Sequence, residues 1–197
     1  MNIRTCNRCS LKGEGYAFPR IKRGTGIKVM FVGEAPGREE TKYHISFIGK
    51  SGKELDRWIS YMHIDNYYIT NVVKHRPTNG DKDRPPTLEE TGSCIMYLVQ
   101  EILTEEPDLI ISLGNSASHA LGSELPITRS IEAHLISVHN YRNSNIRMLT
   151  MFHPSYVLRK QNEPNYQAFT SRLMYYLDSI REIIDAVTTV AMKGDTA

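Results

Sequence analysis

Three cysteines and one histidine are spaced along the chain in a way that could bind a metal. Cys6 and Cys9 form a Cys-x-x-Cys pair in a loop with little apolar sequence around it, and packing explains such a pair poorly. Cys94 would supply a third thiolate, although a lone cysteine is more often a small core residue. His75, at the start of the loop that leads to Cys94, is the best candidate for a fourth ligand. The spacing predicts a metal centre and leaves zinc and an iron–sulfur cluster both open.

A second group of polar residues follows the apolar runs of the chain. A Gly-Glu-Ala-Pro-Gly turn at residues 33–37, Asn71 and His153 each lie at or just past the end of such a run. Asn71 is a poor core residue, because a buried amide must find hydrogen-bond partners or cost free energy. In α/β proteins the carboxyl ends of neighbouring parallel strands meet at one edge of the sheet, where ligands bind. The pattern therefore predicts a ligand site at that edge.

The elements that would position these residues alternate between strands and helices. Apolar, β-branched and aromatic runs predict strands at residues 27–32, 67–73, 109–113, 135–139 and 148–152. Helical spacing predicts helices at 52–62, from a capping box of Thr87 and Glu90 to about 106, at 115–121, and from 164 onward. This alternation predicts an α/β fold, with three α/β/α layers and a central, mostly parallel four-stranded sheet.

Length and composition are those of a single globular domain. The chain has 197 residues, of which 40% are hydrophobic, and a formal net charge of +2. We expect one domain at residues 1–192 and a disordered tail at 193–197, where nothing in the sequence would hold the chain in place. The charge balance neither requires nor excludes a nucleic-acid partner.

The sequence also bounds where the protein works. No segment has the run of apolar residues that a transmembrane helix needs, and the first residues do not resemble a secretory signal. An odd number of cysteines, three, argues against a disulfide framework. We therefore expect a soluble, cytoplasmic protein that acts as a monomer without a membrane partner.

Several strings of the sequence, taken in order, resemble the family 4 uracil-DNA glycosylases. Residues 33–40, Gly-Glu-Ala-Pro-Gly-Arg-Glu-Glu, and residues 47–52, Phe-Ile-Gly-Lys-Ser-Gly, resemble motif A of that family. Residues 68–74 resemble its second strand, and residues 153–159 begin with its His-Pro-Ser motif. Members of the family hold a [4Fe-4S] cluster with four cysteines, and His75 stands at the third of these positions. The resemblance implies a [4Fe-4S] cluster, with zinc as the alternative, held by Cys6, Cys9, His75 and Cys94.

The resemblance also implies an activity and a set of site residues. The enzyme would flip uracil out of DNA and hydrolyse its N-glycosidic bond, leaving an abasic site for base excision repair. Uracil-containing DNA would be the partner. Phe47 would stack on the base, Asn71 would read its edge, His153 would donate a hydrogen bond to O2, and Gly33, Glu34 and Ala35 would line the pocket. Glu34 and Glu40 are the candidates for a catalytic carboxylate that orients water, and Ser155 and Arg159 would contact DNA.

Three residues depart from the family pattern. Thr41, His44 and Ser46 stand where family members usually have Asp, Gly and Pro, at positions that shape the pocket wall. They keep open a second hypothesis, a non-catalytic or altered-specificity metal-stabilised DNA-binding relative of the same fold. A third is an unrelated zinc protein whose glycine-rich turn binds phosphate at a helix N-terminus. That third hypothesis leaves the His-Pro-Ser string unexplained.

Overall fold

The structure, a computed structural model, describes residues 2–122, 139–141 and 146–194. The strand predicted at residues 135–139 lies outside the described residues except for its last position. Residues 195–197 of the predicted tail lie outside them as well. Within the described part of the chain, no helix has both the length and the apolar character needed to cross a lipid bilayer.

The described residues form eight strands and six α-helices around one main sheet. The strands are β1 (Arg20–Lys22), β2 (Val29–Gly33), β3 (Tyr67–Asn71), β4 (Thr78–Asn79), β5 (Lys82–Asp83), β6 (Leu109–Leu113), β7 (His139–Asn140) and β8 (Arg147–Met151). The helices are α1 (Arg38–Tyr43), α2 (Lys50–Tyr61), α3 (Leu88–Glu105), α4 (Asn115–Ala120), α5 (Pro154–Lys160) and α6 (Tyr166–Gly194).

The predicted elements that fall within the described residues are present, with ends within about two residues of the prediction. The capping box before α3 is confirmed, because Thr87 and Glu90 exchange hydrogen bonds there. The short elements β1, β4, β5, α1 and α5 were not predicted. Helix α1 buries none of its residues and so lacks the apolar periodicity on which a helix prediction depends.

The main sheet has six strands in the order β1-β3-β2-β6-β8-β7, so the predicted number of four is wrong. The four central strands are parallel and are the ones that apolar runs predicted. The extra strands, β1 and β7, are short, antiparallel and at the two edges. The sequence of β1, Arg20-Ile21-Lys22, is partly charged and largely exposed, which is typical of an edge strand and hides it from a search for apolar runs.

Helices cover both faces of the sheet, which confirms the predicted three layers. Alternate residues of β2 point to opposite faces: Phe31 packs with α2, α5 and α6, whereas Met30 and Val32 pack with α3 and α4. All three side chains are fully buried, which contributes on the order of 1.5–3 kcal/mol for each. The N-terminal residues Ile3 and Leu11 join the α3 face, so the loop that carries the first two cysteines packs against this core.

The parallel register brings three loops to one edge of the sheet. Gly33 at the end of β2 is level with Asn71 at the end of β3. Strand β8 ends at Met151, two residues before His153, which is the N-cap of α5. The glycine-rich turn, Asn71 and His153 therefore meet at the carboxyl edge of the sheet, as the sequence predicts.

Candidate active site

A cavity of about 380 Å³ opens at this carboxyl edge. Its walls come from the glycine-rich turn and α1, the start of α2, the end of β3, the β4–β5 hairpin and the start of α5. The lining residues are Ala35, Gly37, Arg38, Glu39, Glu40, Phe47, Gly49, Lys50, Ser51, Asn71, Asp83, His153 and Ser155. Six of the predicted site residues are thus brought together, namely Ala35, Glu40, Phe47, Asn71, His153 and Ser155.

Gly33 forms the floor beneath two of these side chains. A Cβ atom at this position would lie 2.5 Å from Cζ of Phe47 and 2.6 Å from Oδ1 of Asn71. Such distances are far below van der Waals contact, so any larger residue would push the aromatic ring or the amide out of place. Only glycine allows the main chain to approach both side chains this closely.

Phe47 has a backbone conformation that is unusual for a bulky residue. Its φ angle is +56°, in the left-handed region, which costs a residue with a large side chain on the order of 1–3 kcal/mol. The first turn of α2 fits against it, because a Cβ atom on Gly52 would lie 1.8 Å from the Phe47 carbonyl oxygen. The Phe47 ring is centred 5.8 Å from the ring of His153. The strained backbone thus aims a flat apolar ring into the cavity beside an imidazole.

Asn71 is buried, and half of its amide lacks a partner. Its Nδ2 lies 3.4 Å from Oγ of Ser46, a long hydrogen bond. Its Oδ1 accepts no hydrogen bond from any residue that the structure describes. A buried carbonyl oxygen without a donor costs about 1–3 kcal/mol. Because Asn71 lines the cavity, this oxygen is suited to a ligand that donates an N–H or O–H group.

His153 is held in one orientation and one tautomer. Its Nδ1 accepts a hydrogen bond from the backbone N–H of Ser155 (3.2 Å) and lies 2.8 Å from the Ser155 hydroxyl. Arg159 donates in turn to that hydroxyl oxygen (3.2 Å). Nδ1 is therefore an acceptor, and the proton of the neutral ring is on Nε2. Burial, with a smaller effect of the Arg159 charge, lowers the pKa of His153 to about 4, so the ring is a neutral donor at pH 7.

The predicted carboxylates are placed differently from each other. Glu40 lines the cavity, but its two oxygens already accept hydrogen bonds from the backbone N–H groups of Gly37 (3.2 Å) and Gly49 (2.9 Å). These bonds join the start of α1 to the start of α2. Glu34 is not among the lining residues, and its backbone carbonyl accepts from the N–H of Val73 (3.0 Å). Arg159 reaches the site through Ser155 and does not line the cavity.

One lining carboxylate, Asp83, was not predicted. It lies at the end of the β4–β5 hairpin, where its Oδ1 accepts a hydrogen bond from Nε of Arg76 (2.5 Å). Nothing in the local sequence distinguishes it from a solvated loop aspartate, because only the closing of the hairpin brings it to the cavity. Of the three departures from the family pattern, Ser46 contacts Asn71, whereas Thr41 lies beside Gly15 and His44 stacks on Tyr16.

The three predicted thiol ligands lie against one patch of the α3-side core, and the His75 ring contacts Tyr16, which packs against the same core. Cys94 is buried on α3, and its Sγ accepts a hydrogen bond from the backbone N–H of Lys74 (3.3 Å). Cys6 and Cys9 pack partly buried against the same apolar cluster. Burial raises the pKa of Cys94, the Cys6 and Cys9 thiols raise it further, and Lys74 opposes these effects. Burial lowers the pKa of His75, and the Glu14 charge and the backbone of Ile3 oppose this effect.

Two contacts tie the N-terminal loop to α3 beside these thiols. The Ser10 hydroxyl donates to Glu90 (2.8 Å). The same carboxylate accepts hydrogen bonds from Nη1 and Nη2 of Arg84 (2.8 and 2.6 Å). These bonds, led by that to Arg84, lower the pKa of Glu90 to about 2. One turn beyond Cys94, the Tyr97 hydroxyl donates to the carbonyl oxygen of Asn2 in the N-terminal segment (3.4 Å). The fold therefore brings the loop with two thiols to the helix with the third.

The three cysteine thiols and the His75 imidazole can be judged as ligands of a single metal ion and of a [4Fe-4S] cluster. In the described ranges, no three His, Cys, Asp or Glu side chains are placed to bind a single metal ion. A four-iron cluster is larger than an ion and takes ligands that are farther apart. Three thiols on one apolar patch, with an imidazole in contact with Tyr16 of that patch, are chemically suited to such a cluster, because thiolates are its usual ligands.

Comparisons with known proteins identify a family and several relatives of the chain. The sequence matches the Uracil DNA glycosylase superfamily over residues 22–176. It is 29% identical over 173 residues to the type-4 uracil-DNA glycosylase of Archaeoglobus fulgidus, covering 84% of this chain and 85% of that protein. Identity is 33% over 168 residues with the Thermotoga maritima type-4 enzyme, covering 81% of each chain, and 34% over 168 residues with that of Pyrobaculum aerophilum, covering 80% and 82%. The chain therefore belongs to the uracil DNA glycosylase superfamily.

Proposed function

We propose that the protein is a uracil-DNA glycosylase, which flips uracil out of DNA and hydrolyses its N-glycosidic bond. The observation that carries the proposal is the buried Oδ1 of Asn71, which has no donor among the described residues and lies in a cavity beside an aromatic ring and a neutral imidazole. The names of the relatives, type-4 uracil-DNA glycosylases, support the same activity.

Asn71 and Phe47 would recognise the base. Uracil offers an N3–H donor next to the O4 acceptor, and a side-chain amide complements both with its Oδ1 and one Nδ2 hydrogen. Cytosine has an acceptor at N3, so it would leave Oδ1 of Asn71 without a donor and be rejected. Phe47 would stack on the flat face of the base. Gly33 permits this close approach, and the backbone of Ala35 lines the same cavity.

His153 would stabilise the departing base. When the bond from C1′ to N1 breaks, the electron pair leaves with uracil and negative charge builds on O2. The Nε2–H group of a neutral imidazole donates to that oxygen more strongly in the transition state than in the ground state, which lowers the barrier. Loss of one such donor usually slows a reaction on the order of 100- to 1,000-fold.

Glu40 and Glu34 remain the predicted carboxylates, with roles limited by their positions. Glu40 carries negative charge at the cavity wall, where it would stabilise the cationic sugar, although both its oxygens also accept backbone N–H groups. Glu34 does not line the cavity, and its backbone carbonyl would position the glycine-rich turn by accepting from the N–H of Val73. Ser155 and Arg159 would contact DNA phosphate at the rim, beside Arg38 and Lys50.

We further propose that Cys6, Cys9, His75 and Cys94 hold a [4Fe-4S] cluster, with zinc as the alternative. When bound, the cluster would cross-link the N-terminal loop to α3 and to the loop after β3. The convergence of three thiols on one core patch supports this proposal. Analysis of purified protein for iron, sulfide and zinc, together with a visible spectrum, would test it. Iron and sulfide in equal amounts support the cluster, whereas zinc in a colourless protein contradicts it.

The glycosylase proposal is tested with an oligonucleotide that carries one uracil. Cleavage of the strand by alkali after incubation reports the abasic product. Asn71→Ala should lower the rate on the order of 1,000-fold, since it removes the group that reads the base. Asn66→Ala is the matched control, because Asn66 lies at the opposite end of β3 and its side chain hydrogen-bonds Gly26.

The alternative, a DNA-binding relative without catalysis, predicts a different result from the same experiment. The wild-type protein would bind the uracil-containing strand and leave the base in place. Excision of another deaminated base instead of uracil would indicate altered specificity. Size-exclusion chromatography with light scattering, alone and with DNA, would test the expectation of a monomer.

A further inference from the structure

The β4–β5 hairpin places an aspartate at the mouth of the cavity. The hairpin turns at Gly80, whose φ of +62° suits glycine, and returns through Asp83, which lines the cavity. Arg38 of α1 and Arg76 both donate to the carbonyl oxygen of Asp81, at 3.0 and 3.1 Å. The hairpin is therefore fastened to α1, which forms another wall of the same cavity.

The two oxygens of Asp83 differ in what they contact. Oδ1 is fixed by Nε of Arg76 at 2.5 Å. Oδ2 accepts no hydrogen bond from the described residues and lies 3.6 Å from the point that a Cβ atom on Gly37 would occupy. One oxygen thus orients the carboxylate while the other points along the glycine-rich turn. A water molecule held by Oδ2 would lie at the edge of the cavity, where the sugar of a flipped nucleotide must pass.

The other lining carboxylates do not share this arrangement. Both oxygens of Glu40 accept hydrogen bonds from backbone N–H groups. Glu39 lines the cavity, but its carboxylate makes no hydrogen bond that fixes it among the described residues. Among the lining carboxylates that the structure describes, Asp83 combines a cavity position, one anchored oxygen and one oxygen without a hydrogen bond to a described residue. A base that activates water needs this combination, because its carboxylate must be held within hydrogen-bond distance of the water whose proton it takes.

We propose that Asp83 is a catalytic residue that orients and deprotonates the attacking water; this rests on the proposed glycosylase function. In the reaction, the bond from C1′ to N1 breaks and its electron pair leaves with uracil. The water oxygen forms a new bond to C1′, and one water proton moves to Oδ2 of Asp83. The proton passes later to solvent, and solvent protonates the uracil anion. The products are uracil and an abasic sugar with a hydroxyl at C1′.

Asp83→Asn is the variant that tests this role, with Asp81→Asn as its matched control. The amide keeps the shape of the side chain and an oxygen for Arg76, but it cannot take a proton. Asp81 is on the same hairpin, where its backbone carbonyl accepts hydrogen bonds and its side chain makes no hydrogen bond or ion pair with the described residues. With enzyme in excess over uracil-containing DNA, Asp83→Asn should lower the excision rate on the order of 100-fold or more, and Asp81→Asn should not.

A second measurement separates chemistry from binding. The dissociation constant for DNA with a stable abasic analogue should stay the same or fall in Asp83→Asn, because a negative charge near phosphate has been removed. Added formate should restore part of the rate in Asp83→Ala, since it replaces the missing carboxylate. The proposal would be overturned if weaker DNA binding by Asp83→Asn accounted for its whole loss of excision rate. It would also be overturned if formate did not rescue Asp83→Ala and Asp81→Asn lost as much excision rate as Asp83→Asn.

The remaining outcomes distinguish this proposal from the one on which it rests. If the wild-type protein excises uracil and Asp83→Asn is equally fast, the role of Asp83 is wrong and the glycosylase function stands. If Glu39→Gln loses activity while Asp83→Asn does not, the water-activating group is Glu39. If the wild-type protein excises no uracil, the proposed function itself is wrong.

Discussion

Two buried polar side chains at the end of β3 lie close together in sequence and have opposite surroundings. Asn71 faces the cavity, and its Oδ1 has no hydrogen-bond donor in the described part of the structure. Lys74 is 1% exposed, and its Nζ donates to Oγ1 of Thr70 (2.7 Å), the carbonyl of Asn71 (2.6 Å) and Oε2 of Glu101 (2.7 Å). The first side chain has an oxygen without a donor, whereas each donor position of the second is used.

This difference separates what binds a ligand from what holds the fold. A buried acceptor without a donor lowers stability, so it is expected only where a ligand completes it. A buried cation with a full set of acceptors joins the elements that supply them, here β3, the loop after it and α3. The same short segment therefore presents a recognition group to the cavity and a structural cross-link to the opposite layer. Substitutions on the two sides should have opposite effects on stability and activity.

The largest effect on stability is expected from Lys74→Met. The substitution keeps the length of the side chain but leaves Glu101 without its cation and two other acceptors without a donor. Breaking a buried ion pair in this way costs about 3 kcal/mol or more. Urea unfolding followed by circular dichroism would measure the loss. Adding Glu101→Gln should recover part of it, and a single-variant loss below about 1 kcal/mol would contradict the structural role.

Asn71→Ala should behave in the opposite way in the same unfolding experiment. Its free energy of unfolding should stay within about 0.5 kcal/mol of the wild type or rise, because the lost oxygen had no hydrogen bond among the described residues and only the long bond to Ser46 disappears. The variant should be folded and unable to excise uracil. A large loss of stability would mean that the amide is a structural group and that the contrast with Lys74 is wrong.

Gly33→Ala would displace two side chains that line the cavity, Phe47 and Asn71. The added Cβ atom would meet the Phe47 ring and Oδ1 of Asn71 at about 2.5 Å, so both must move. We expect a loss of about 2 kcal/mol in unfolding free energy together with loss of uracil excision. Gly92→Ala is the matched control, because a Cβ atom there meets nothing within 4 Å and alanine favours the helix α3. That control should be slightly more stable than the wild type.

An effect that is confined to acidic pH, about 3 kcal/mol by pH 4, is expected from the ionisation of His153. In the unfolded chain the histidine takes up a proton as the pH falls below about 6.5, whereas in the folded protein it does so only near pH 4. The unfolded state therefore binds more protons between these values, and stability falls as the pH is lowered through them. Above pH 6.5 the contribution is complete.

Urea titrations at several pH values would measure this dependence. His153→Gln should lose less stability than the wild type between pH 6.5 and pH 4, because glutamine does not titrate. The exposed His119→Gln is the control and should keep the wild-type slope. Equal slopes for wild type and His153→Gln would show that the imidazole is not held neutral, and the proposed donor to uracil would then need another explanation.

The sequence predicts the parts of the molecule whose residues bury an apolar face. The four central strands and helices α2, α3, α4 and α6 have such a face, and the cavity lies at the strand ends where parallel topology requires it. Asn71 was predicted to be a site residue because a buried amide at the end of a strand must find hydrogen-bond partners or cost free energy. Its unpaired oxygen is what the structure adds.

The parts that escape prediction depend on contacts between distant segments. Helix α1 buries no residue, and the β4–β5 hairpin is too short and polar to show a strand pattern. Asp83 reaches the cavity only because arginines from both sides fasten that hairpin. Glu40 also links the glycine-rich turn to α2 through two backbone N–H groups. The positions of these groups depend on the fold and cannot be inferred from residue types.

The smallest effect on stability is expected from Ser10→Ala, a substitution beside the proposed cluster. The Ser10 hydroxyl donates to Glu90 beside the loop of Cys6 and Cys9, so Ser10→Ala removes one tether and costs about 1 kcal/mol. The tether lies on the structural side of β3, so we expect normal uracil excision but release of iron to a chelator that is several-fold faster than in the wild type. Ser171→Ala, which removes a bond within α6, is the control. Unchanged iron release would mean that this tether does not protect the loop, whereas lost excision with iron retained would mean that the two sides of β3 are not independent.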